Sequence, residues 1–429
     1  MWFHLPLRYR AQPHVIAVTV RAPLVRQITG QMLRATVASH TASLLLVARW
    51  RTGLSTLVLR PVDLSRASCC ARFPARGRDS GYGRAGWEWS VLRRGRARPL
   101  AVDLGTANTV VFRRGDGIVV FEPSVVAIDE LTGQVAAVGA DARRMIGRTP
   151  ANIRATRPLR HGVITDVETT EAMLRHFIRQ GAEPSFRKPV IMICIPGGVT
   201  QVERSAVEEA SLAAGAARVF FIEEPLAAAI GAGLPVANPV GSLIVDVGGG
   251  TSEIAVTALG GLVVSESVRV GGYDLDEALV RMLQQRERLL IGQEQAEQLK
   301  LEIGAALPGY ASADEAQVAG RDLSTGLLRR ARVTAAAVQA ALARPLEEIT
   351  HAVRDLLEET PAELAADLGR NGLTLVGGGA LLPGFGELLH QQTGLDVFID
   401  DDPLTTVARG AGRALNQSHS QHRRQRRKH

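Results

Sequence analysis

The chain has few cysteines and no long apolar segment, and both shortages limit what kind of protein it can be. Only Cys69, Cys70 and Cys194 are cysteines, and two of them are adjacent, which is not the pattern of a disulfide framework. No run of 18 consecutive apolar residues occurs, so the sequence predicts no transmembrane helix. The apolar run from Ser43 to Ala48 is too short and lies too late in the chain for a signal peptide. Together these absences predict a protein of a reducing cytoplasm.

Lysine is also scarce, and the positive charge that arginine supplies lies at the two ends of the chain. The net charge is +7, but residues 1–98 carry +14 and residues 418–429 carry +5, which leaves −12 for the body between them. The overall basicity is therefore no argument that the body binds nucleic acid, and we expect no specific nucleic-acid partner.

Residues 1–98 form an Arg-rich extension without sustained helical or strand periodicity. Three interpretations stay open. The start codon is assigned too far upstream, or the segment is a disordered basic arm for anionic lipid or nucleic acid, or it is a small folded domain. At the other end, residues 416–429 read as a basic tail.

From residue 99 onward the pattern is that of alternating strands and helices. The apolar run "PVIMICIP" is typical of a strand buried on both faces, and Thr200 with Glu203 forms a capping-box signal for the helix after it. This alternation predicts an α/β fold with a central sheet. The segments "AVDLGTANTVV" and "IVDVGGGTSEIAV" each place an aspartate at the end of a strand, before a turn and a second strand. They indicate an internal duplication.

The turns of this repeat have the chemistry that a nucleotide phosphate needs. Glycine allows the backbone to approach closely, and successive N–H groups form an anion-binding nest. Asp103 and Asp246 precede the two turns and could hold the waters of a Mg²⁺ ion. A third turn, Gly377 to Gly379, precedes a helix that we expect to begin near Ala380, and it could pass beneath the adenosine or α-phosphate. Neither a Walker A loop nor a dinucleotide-binding glycine motif is present.

These residues resemble the superfamily of actin, the heat-shock chaperone ATPases and the sugar kinases, and within it the MreB/Mbl family of bacterial actin homologues. The resemblance runs from about residue 99 to residue 415. It is carried by "VDLGTANTVVF", "EPSVVAID", "ARRMIGRTP", "RPLRHGVITDVETTEAMLRHFI", "IEEPLAAAIGAGLPV", "VDVGGGTSEIAV", "GYDLDEALV", "AEQLKLEIG", "TPAELAADL", "LVGGGALLPG" and "DDPLTTVARGAG", in that order. Departures are few, such as Tyr273 beside the usual acidic pattern and Ser252 where threonine is commoner.

The resemblance implies an actin-like ATPase fold of class α/β, with two duplicated lobes that each have a central mixed sheet and a nucleotide in the cleft between them. It places the first lobe at 99–238, with a small inserted subdomain at about 131–160. The second lobe spans 239–415, with a helical inserted subdomain at about 274–345.

The resemblance also implies roles for individual residues. Glu224 orients the attacking water, Thr251 contacts that water and the γ-phosphate, and Asp103 and Asp246 serve catalysis by holding Mg²⁺ through water. The implied nucleotide contacts are Thr106, Ala107, Asn108, Gly248, Gly249, Gly250, Glu297, Lys300, Gly377, Gly378, Gly379, Ala380 and Leu381. Two alternatives stay open: Glu224 as an ordinary carboxylate at a helix N-terminus, and Glu297 with Lys300 as a plain surface ion pair.

The function that follows from the resemblance is that of an ATP-dependent filament beneath the cytoplasmic membrane, which determines cell shape by organising cell-wall synthesis. Its cofactors would be ATP and Mg²⁺, with slow hydrolysis coupled to polymerisation. Its partners would be further copies of itself, the inner face of the membrane and wall-synthesis proteins. Phe186 in the loop "GAEPSFRKP" is either a membrane contact or a core residue. A small-molecule kinase or a chaperone-type ATPase is the alternative, but we find no acceptor-base motif and no C-terminal substrate-binding domain.

Overall fold

The structure is a computed structural model that describes residues 97–184 and 187–425, together with four short strands nearer the N-terminus. These strands are β1 (Ile16–Val18), β2 (Arg34–Ser39), β3 (Ala42–Val47) and β4 (Leu57–Leu59). They form two antiparallel pairs, β1 with β4 and β2 with β3, in a unit that spans Met1–Arg78. The rest of the extension and Phe186 lie outside the described residues, so their alternatives stay predictions.

The second unit, Asp79–His429, holds the α/β body. Its first half contains β5 (Leu100–Leu104), β6 (Asn108–Arg113), β7 (Gly117–Pro123), β8 (Val126–Asp129), β9 (Gln134–Val138), α1 (Ala140–Met145), β10 (Ile153–Thr156), β11 (Leu159–Arg160), β12 (Val163–Ile164), α2 (Val167–Gly181), β13 (Val190–Ile195), α3 (Gln201–Ala213), β14 (Arg218–Glu223) and α4 (Glu224–Ala232).

The second half repeats this arrangement. It contains β15 (Ser242–Val247), β16 (Ser252–Ala258), β17 (Gly261–Val268), α5 (Gly272–Arg286), β18 (Leu289–Leu290), α6 (Gln293–Ile303), β19 (Glu315–Asp322), β20 (Leu328–Thr334), α7 (Ala335–Glu359), α8 (Ala362–Asn371), β21 (Leu373–Val376), a 3₁₀ helix (Gly378–Leu381), α9 (Phe385–Thr393), β22 (Val397–Ile399) and α10 (Thr406–Gln425).

The two halves have sheets of identical topology, which confirms the predicted duplication. In the first lobe the order is β14-β13-β5-β6-β7, and in the second it is β22-β21-β15-β16-β17. In each sheet the central strand pairs antiparallel with the hairpin strand after it. It also pairs parallel with a strand that comes later in the sequence. Both sheets are therefore mixed, as predicted.

Local sequence explains the elements that frame the cleft. Strand β13 is buried along its whole length, as its continuous apolar run predicts. The helix after it begins with the predicted capping box, in which Thr200 accepts from the N–H of Glu203 and the Glu203 side chain accepts from the N–H of Thr200. Each lobe then has its own apolar core between its sheet and its helices.

The inserted segments differ in part from the prediction. A three-stranded sheet of β8, β9 and β10 packs with α1 in the first lobe. The segment 274–345, predicted as a helical insert, contains α5 and α6 and also the antiparallel sheet of β18, β19 and β20.

The last helix also differs from the prediction. Helix α10 follows the second lobe in sequence, but it lies against α4, β5, β6 and β13. Residues 406–415 therefore do not simply belong to the second lobe, and the helix continues into the segment that composition sets apart as a basic tail. No helix in the described part of the chain is long and apolar enough to span a membrane.

Candidate functional site

The cleft between the lobes contains a cavity of about 450 Å³. Its floor is made by the two equivalent hairpins, β5–β6 and β15–β16, so Asp103 and Asp246 lie at corresponding places near the ends of the two central strands. The register is equivalent too, because Asp103 pairs with Val110 and Asp246 pairs with Glu253, so both pairs enclose turns of equal length. The internal repeat has thus placed the same carboxylate on both sides of one cavity.

The two glycine-containing turns touch each other at this floor. A Cβ added at Gly249 would lie 2.5 Å from the Cβ of Ala107, and one added at Gly250 would lie 2.7 Å from Oγ1 of Thr106. No side chain fits there without displacing the opposite turn. Together with Asn108 and Gly248, these residues line the cavity.

The third turn closes another side of the cavity, with one correction to the prediction. Gly377 has φ of +79° and lies so close to Asp246 that a Cβ would overlap its Oδ1 atom. Gly378, Gly379 and Leu381 line the cavity, but Ala380 is 3% exposed and packs in the core of the second lobe. The predicted helix also begins later than Ala380, since the turn continues as a 3₁₀ helix and α9 starts at Phe385.

The carboxylates of the floor lie close together, with Asp246 buried and Asp103 partly buried. Burial raises the pKa of Asp103 from its ordinary 3.8 to about 7. Burial, and then the charge of Asp103, raise the pKa of Asp246 to about 7 as well. Two neighbouring carboxylates with little access to water favour either a bound proton or a cation.

Glu224 and Thr251 also line the cavity, from α4 and from the second turn. Glu224 is the first residue of its helix, with a proline after it. Its location is therefore that of a carboxylate at a helix N-terminus, as the alternative interpretation states. It is nevertheless buried, and burial followed by the negative charges of Glu253, Asp103 and Asp246 raises its pKa well above the ordinary value. Interaction with the helix dipole alone does not explain why this carboxylate is buried, because burying a carboxylate costs free energy.

Glu297 and Lys300 reach the cavity from α6, but they do not pair with each other as the alternative prediction proposed. The ammonium of Lys300 lies 2.7 Å from Oδ1 of Asp276 and donates to the carbonyl oxygen of Gly272 at 3.0 Å. Glu297 instead accepts from the guanidinium of Arg143 at 2.5 Å, across the cleft.

Several residues of the wall were not predicted. Arg143, Tyr273 and Asp276 are polar members, and Phe121, Leu301, Leu382, Pro383, Pro403, Leu404 and Val407 supply apolar surface. The hydroxyl of Tyr273 accepts from Nε of Arg157 at 2.9 Å, and that guanidinium also lies 4.6 Å from the centre of the tyrosine ring. The departure at Tyr273 in the sequence was a signal for this contact, although it did not name the partner.

The cavity fits a nucleoside triphosphate with Mg²⁺. Its volume is that of a small-molecule site, and it joins backbone turns at the carboxylate floor to an apolar wall suited to a base. Among the described residues no cluster of three or more His, Cys, Asp or Glu side chains could hold a metal ion directly. Two carboxylates are enough for Mg²⁺, however, because this ion usually keeps several waters and takes its other ligands from phosphate.

Known proteins are similar to this chain in sequence and in fold. The chain is 50% identical over 322 residues to the cell shape-determining protein MreB of Escherichia coli strain K12, an alignment that covers 74% of this chain and 92% of the relative. Two crystal structures of MreB5 of Spiroplasma citri are similar in fold. The ADP-bound one has a TM-score of 0.70 and 35% identity over 73% of this chain and 94% of that one. The AMPPNP-bound one has a TM-score of 0.72 and 33% identity over 77% and 99%.

The family model described as MreB/Mbl protein matches residues 97–423, which include both lobes, the cavity and most of α10. Both lobes have the actin-like architecture of these relatives. The chain belongs to the MreB/Mbl family.

Proposed function

We propose that this protein binds ATP with Mg²⁺ in the cleft, hydrolyses it slowly, and assembles into filaments that determine cell shape. The observation that carries the proposal is the meeting of two equivalent aspartate-ended turns across one cavity. Such an arrangement holds a phosphate chain from both sides. The ADP- and AMPPNP-bound relatives support the same choice of ligand.

The residues of the cavity have distinct parts in this proposal. Backbone N–H groups of the two turns hold the phosphates, and Glu297 and Lys300 lie on the wall where we place the ribose and base. Mg²⁺, held through water by Asp103 and Asp246, would neutralise phosphate charge. Glu224 orients the attacking water and Thr251 contacts it, because hydrolysis needs an acceptor positioned beyond the terminal phosphate.

The filament follows from the link between the nucleotide and the two lobes. A ligand that contacts both lobes favours the closed arrangement, and loss of the γ-phosphate weakens it. Head-to-tail contacts between identical subunits then give an open polymer rather than a closed ring. We place these filaments in the cytoplasm, at the inner face of the membrane, where they organise wall-synthesis proteins.

Sedimentation of the purified full chain tests the proposal. The protein is incubated with Mg-ATP, with ATP and EDTA, or without nucleotide, each with and without vesicles of anionic lipid, and phosphate release is measured in parallel. We expect polymer in the pellet and slow phosphate release with Mg-ATP only. Protein that binds no ATP contradicts the nucleotide site, and protein that binds ATP but never pellets contradicts the filament.

A further inference from the structure

Polar contacts connect the lobes at the mouth of the cavity, and one of them differs from its neighbours in its chemistry. Two are ion pairs, that of Arg143 with Glu297 and that of Arg148 with Glu294. Another joins Arg157, which follows β10 of the first lobe, to the tyrosine in the first turn of α5. No carboxylate takes part in this contact.

Both acceptors that Arg157 contacts are neutral. Its Nε donates to the hydroxyl oxygen of Tyr273 at 2.9 Å, and its Nη1 donates to Oε1 of Gln293, also at 2.9 Å. The central carbon of the guanidinium lies 4.6 Å from the centre of the tyrosine ring, within the range of a cation–π interaction. The charge of the arginine is therefore held by partners that carry none.

Carboxylates of the second lobe are close by, but each has another partner. Asp276 and Glu297 line the same cavity. Asp276 lies 2.7 Å from the ammonium of Lys300, and Glu297 pairs with Arg143. In the part of the chain that the structure describes, no carboxylate forms an ion pair with Arg157. The tyrosine, which is also a departure from the family pattern, is thus the aromatic group that this arginine contacts across the cleft.

The tyrosine is held in position from its own lobe. The N–H of Tyr273 donates to the carbonyl oxygen of Gly249 at 2.8 Å, and α5 continues from it. Burial raises the pKa of the Tyr273 phenol above its ordinary value, so the hydroxyl stays uncharged at neutral pH. A fixed and neutral aromatic group therefore faces the arginine of the opposite lobe.

Salt should weaken these two kinds of contact differently. The side chains of Arg143 and Arg148 are exposed by 38% and 63%, so added ions screen their attraction to the glutamates. The screening length falls from about 8 Å at physiological ionic strength to about 3 Å at 1 M salt. A hydrogen bond and a cation–π contact to a neutral ring involve only one net charge and act at short range, so salt screens them less. The contact of Arg157 with Tyr273 should therefore persist where the ion pairs fail.

We propose that Arg157 and Tyr273 form a salt-resistant clasp between the lobes, which retains the nucleotide at ionic strengths that weaken the neighbouring ion pairs. The inference rests on the proposed function, because it assumes that a nucleotide occupies the cleft. Tyr273 is a positioning residue in this clasp, since it acts through Arg157 on closure of the cleft and takes no part in hydrolysis. Release of nucleotide is the step that the clasp controls.

Release of a fluorescent ATP analogue from the full chain tests the clasp. Dilute protein is loaded with the analogue and Mg²⁺, and excess ATP displaces it in a stopped-flow instrument at about 0.05 M and about 0.5 M KCl. Tyr273→Phe keeps the ring but removes the hydroxyl, and Tyr273→Glu supplies a carboxylate that can form an ion pair with Arg157. Tyr310→Phe is the matched control, because this tyrosine is 47% exposed and does not line the cavity. Thermal unfolding without nucleotide shows that each variant folds.

We expect Tyr273→Phe to release the analogue about 3- to 10-fold faster than the wild type, the factor for one lost hydrogen bond, and by the same factor at both salt concentrations. Tyr273→Glu should release it about as slowly as the wild type at low salt but about 3-fold faster or more at high salt, because its ion pair is screened. Tyr310→Phe should match the wild type at both concentrations. Hydrolysis of bound ATP in a single turnover should be unchanged in all three variants.

An Arg157 variant separates the clasp from a direct contact of Tyr273 with the nucleotide. In an Arg157→Ala background, Tyr273→Phe should no longer accelerate release, and an undiminished effect there would overturn the proposal. So would an effect of Tyr273→Phe that disappears at high salt, or a Tyr273→Glu variant with the salt dependence of the wild type. Wild-type protein that binds no analogue would overturn the proposed function, and the clasp with it.

Discussion

At the scale of single residues, Glu224 is the group whose environment points most directly to chemistry. It is buried at the start of α4, among three other acidic residues that raise its pKa. Glu224→Gln keeps the shape of the side chain but replaces one carboxyl oxygen by a nitrogen that can accept neither a hydrogen bond nor a proton, so kcat for ATP hydrolysis should fall by about 100-fold or more, with KM changed only a few-fold. Phosphate release at saturating ATP measures the change.

The neighbouring Glu223 provides the matched control for this variant. It is exposed at the end of β14, one residue before the buried acid. Glu223→Gln should leave kcat within about twofold, as expected of a surface change away from the reacting atoms. Similar rates for both variants and the wild type would remove Glu224 from the role we assign to it.

The buried Asp246 gives the apo protein a pH dependence of known sign. The folded pKa of Asp246, about 7, exceeds its ordinary 3.8, so the folded state binds more protons than the unfolded state between these values. Its contribution to the free energy of unfolding is therefore lost as pH rises from about 4 to about 7. Asp246→Asn removes this term, so thermal unfolding in EDTA should show the variant more stable than the wild type at pH 8 but not at pH 4.

Addition of Mg-ATP serves as the control for this prediction. The ligand stabilises any chain that binds it, and the variant has lost a carboxylate that we assign to Mg²⁺. At pH 8 with Mg-ATP the order should therefore reverse, with the wild type the more stable protein. A difference in stability between variant and wild type that is the same at both pH values would contradict the raised pKa.

Residues at the floor of the site could be predicted because their signal is local. An aspartate at the end of a strand, followed by glycines, is recognisable in a window of ten residues. The partners of Glu297 and Lys300 could not be predicted in this way. Arg143 is separated from Glu297 by 154 positions, so only the folded arrangement of the lobes brings them together.

At the scale of elements, α6 of the second lobe is joined to the insert of the first lobe by polar contacts over the cleft. Arg148 lies 2.6 Å from Glu294, and Nη1 of Arg157 donates to Oε1 of Gln293 at 2.9 Å. With the pair of Arg143 and Glu297, these contacts connect both sides of the cavity mouth. They hold the cleft closed and so should slow the escape of nucleotide.

Arg148→Ala should therefore accelerate nucleotide release. An exposed ion pair contributes about 0.2–1 kcal/mol, so the rate should rise by no more than about fivefold, and less at high salt. Stopped-flow release of a fluorescent ATP analogue measures it, and a double-mutant cycle with Glu294→Ala isolates the pair. The exposed pair of Arg154 and Glu130, 2.8 Å apart within the first lobe, is the control and should leave release unchanged. A cycle that gives no coupling for Arg148 and Glu294 would mean that this contact does not hold the cleft.

The central sheets could be predicted from the sequence, whereas the structure of the inserts could be predicted only in part. Alternating buried strands and a repeated turn are properties of the local pattern. The strands β19 and β20 are instead half-exposed, and they lie between helices whose periodicity is stronger. The local pattern therefore does not specify these strands.

At the scale of the whole molecule, two helices connect the lobes. Helix α4 leads from β14 of the first lobe to β15 of the second, and α10 returns from the second lobe to pack against α4 and the first sheet. A shared core lies around them, with Val407, Ala411 and Leu415 beside apolar residues of both sheets. The sequence could not reveal this return, because nothing local in α10 specifies which lobe its buried face contacts.

The close crossing of these two helices predicts how the whole molecule responds to one added methyl group. A Cβ at Gly410 in α10 would overlap the carbonyl oxygen of Ala227 in α4, and one at Gly231 would overlap that of Thr406. Gly410→Ala must push the helices apart, which costs roughly 1–3 kcal/mol of the free energy of unfolding despite the better helix propensity of alanine.

Gly369→Ala is the matched control, since this exposed glycine also lies in a helix but has open space around its Cβ position. It should be neutral or stabilise by up to about 1 kcal/mol. Because α4 and α10 connect the two lobes that line the cavity, we expect Gly410→Ala also to weaken the stabilisation that Mg-ATP gives, whereas Gly369→Ala should not. Chemical denaturation with and without Mg-ATP measures both effects, and equal stability of the two variants would mean that the helices separate without cost.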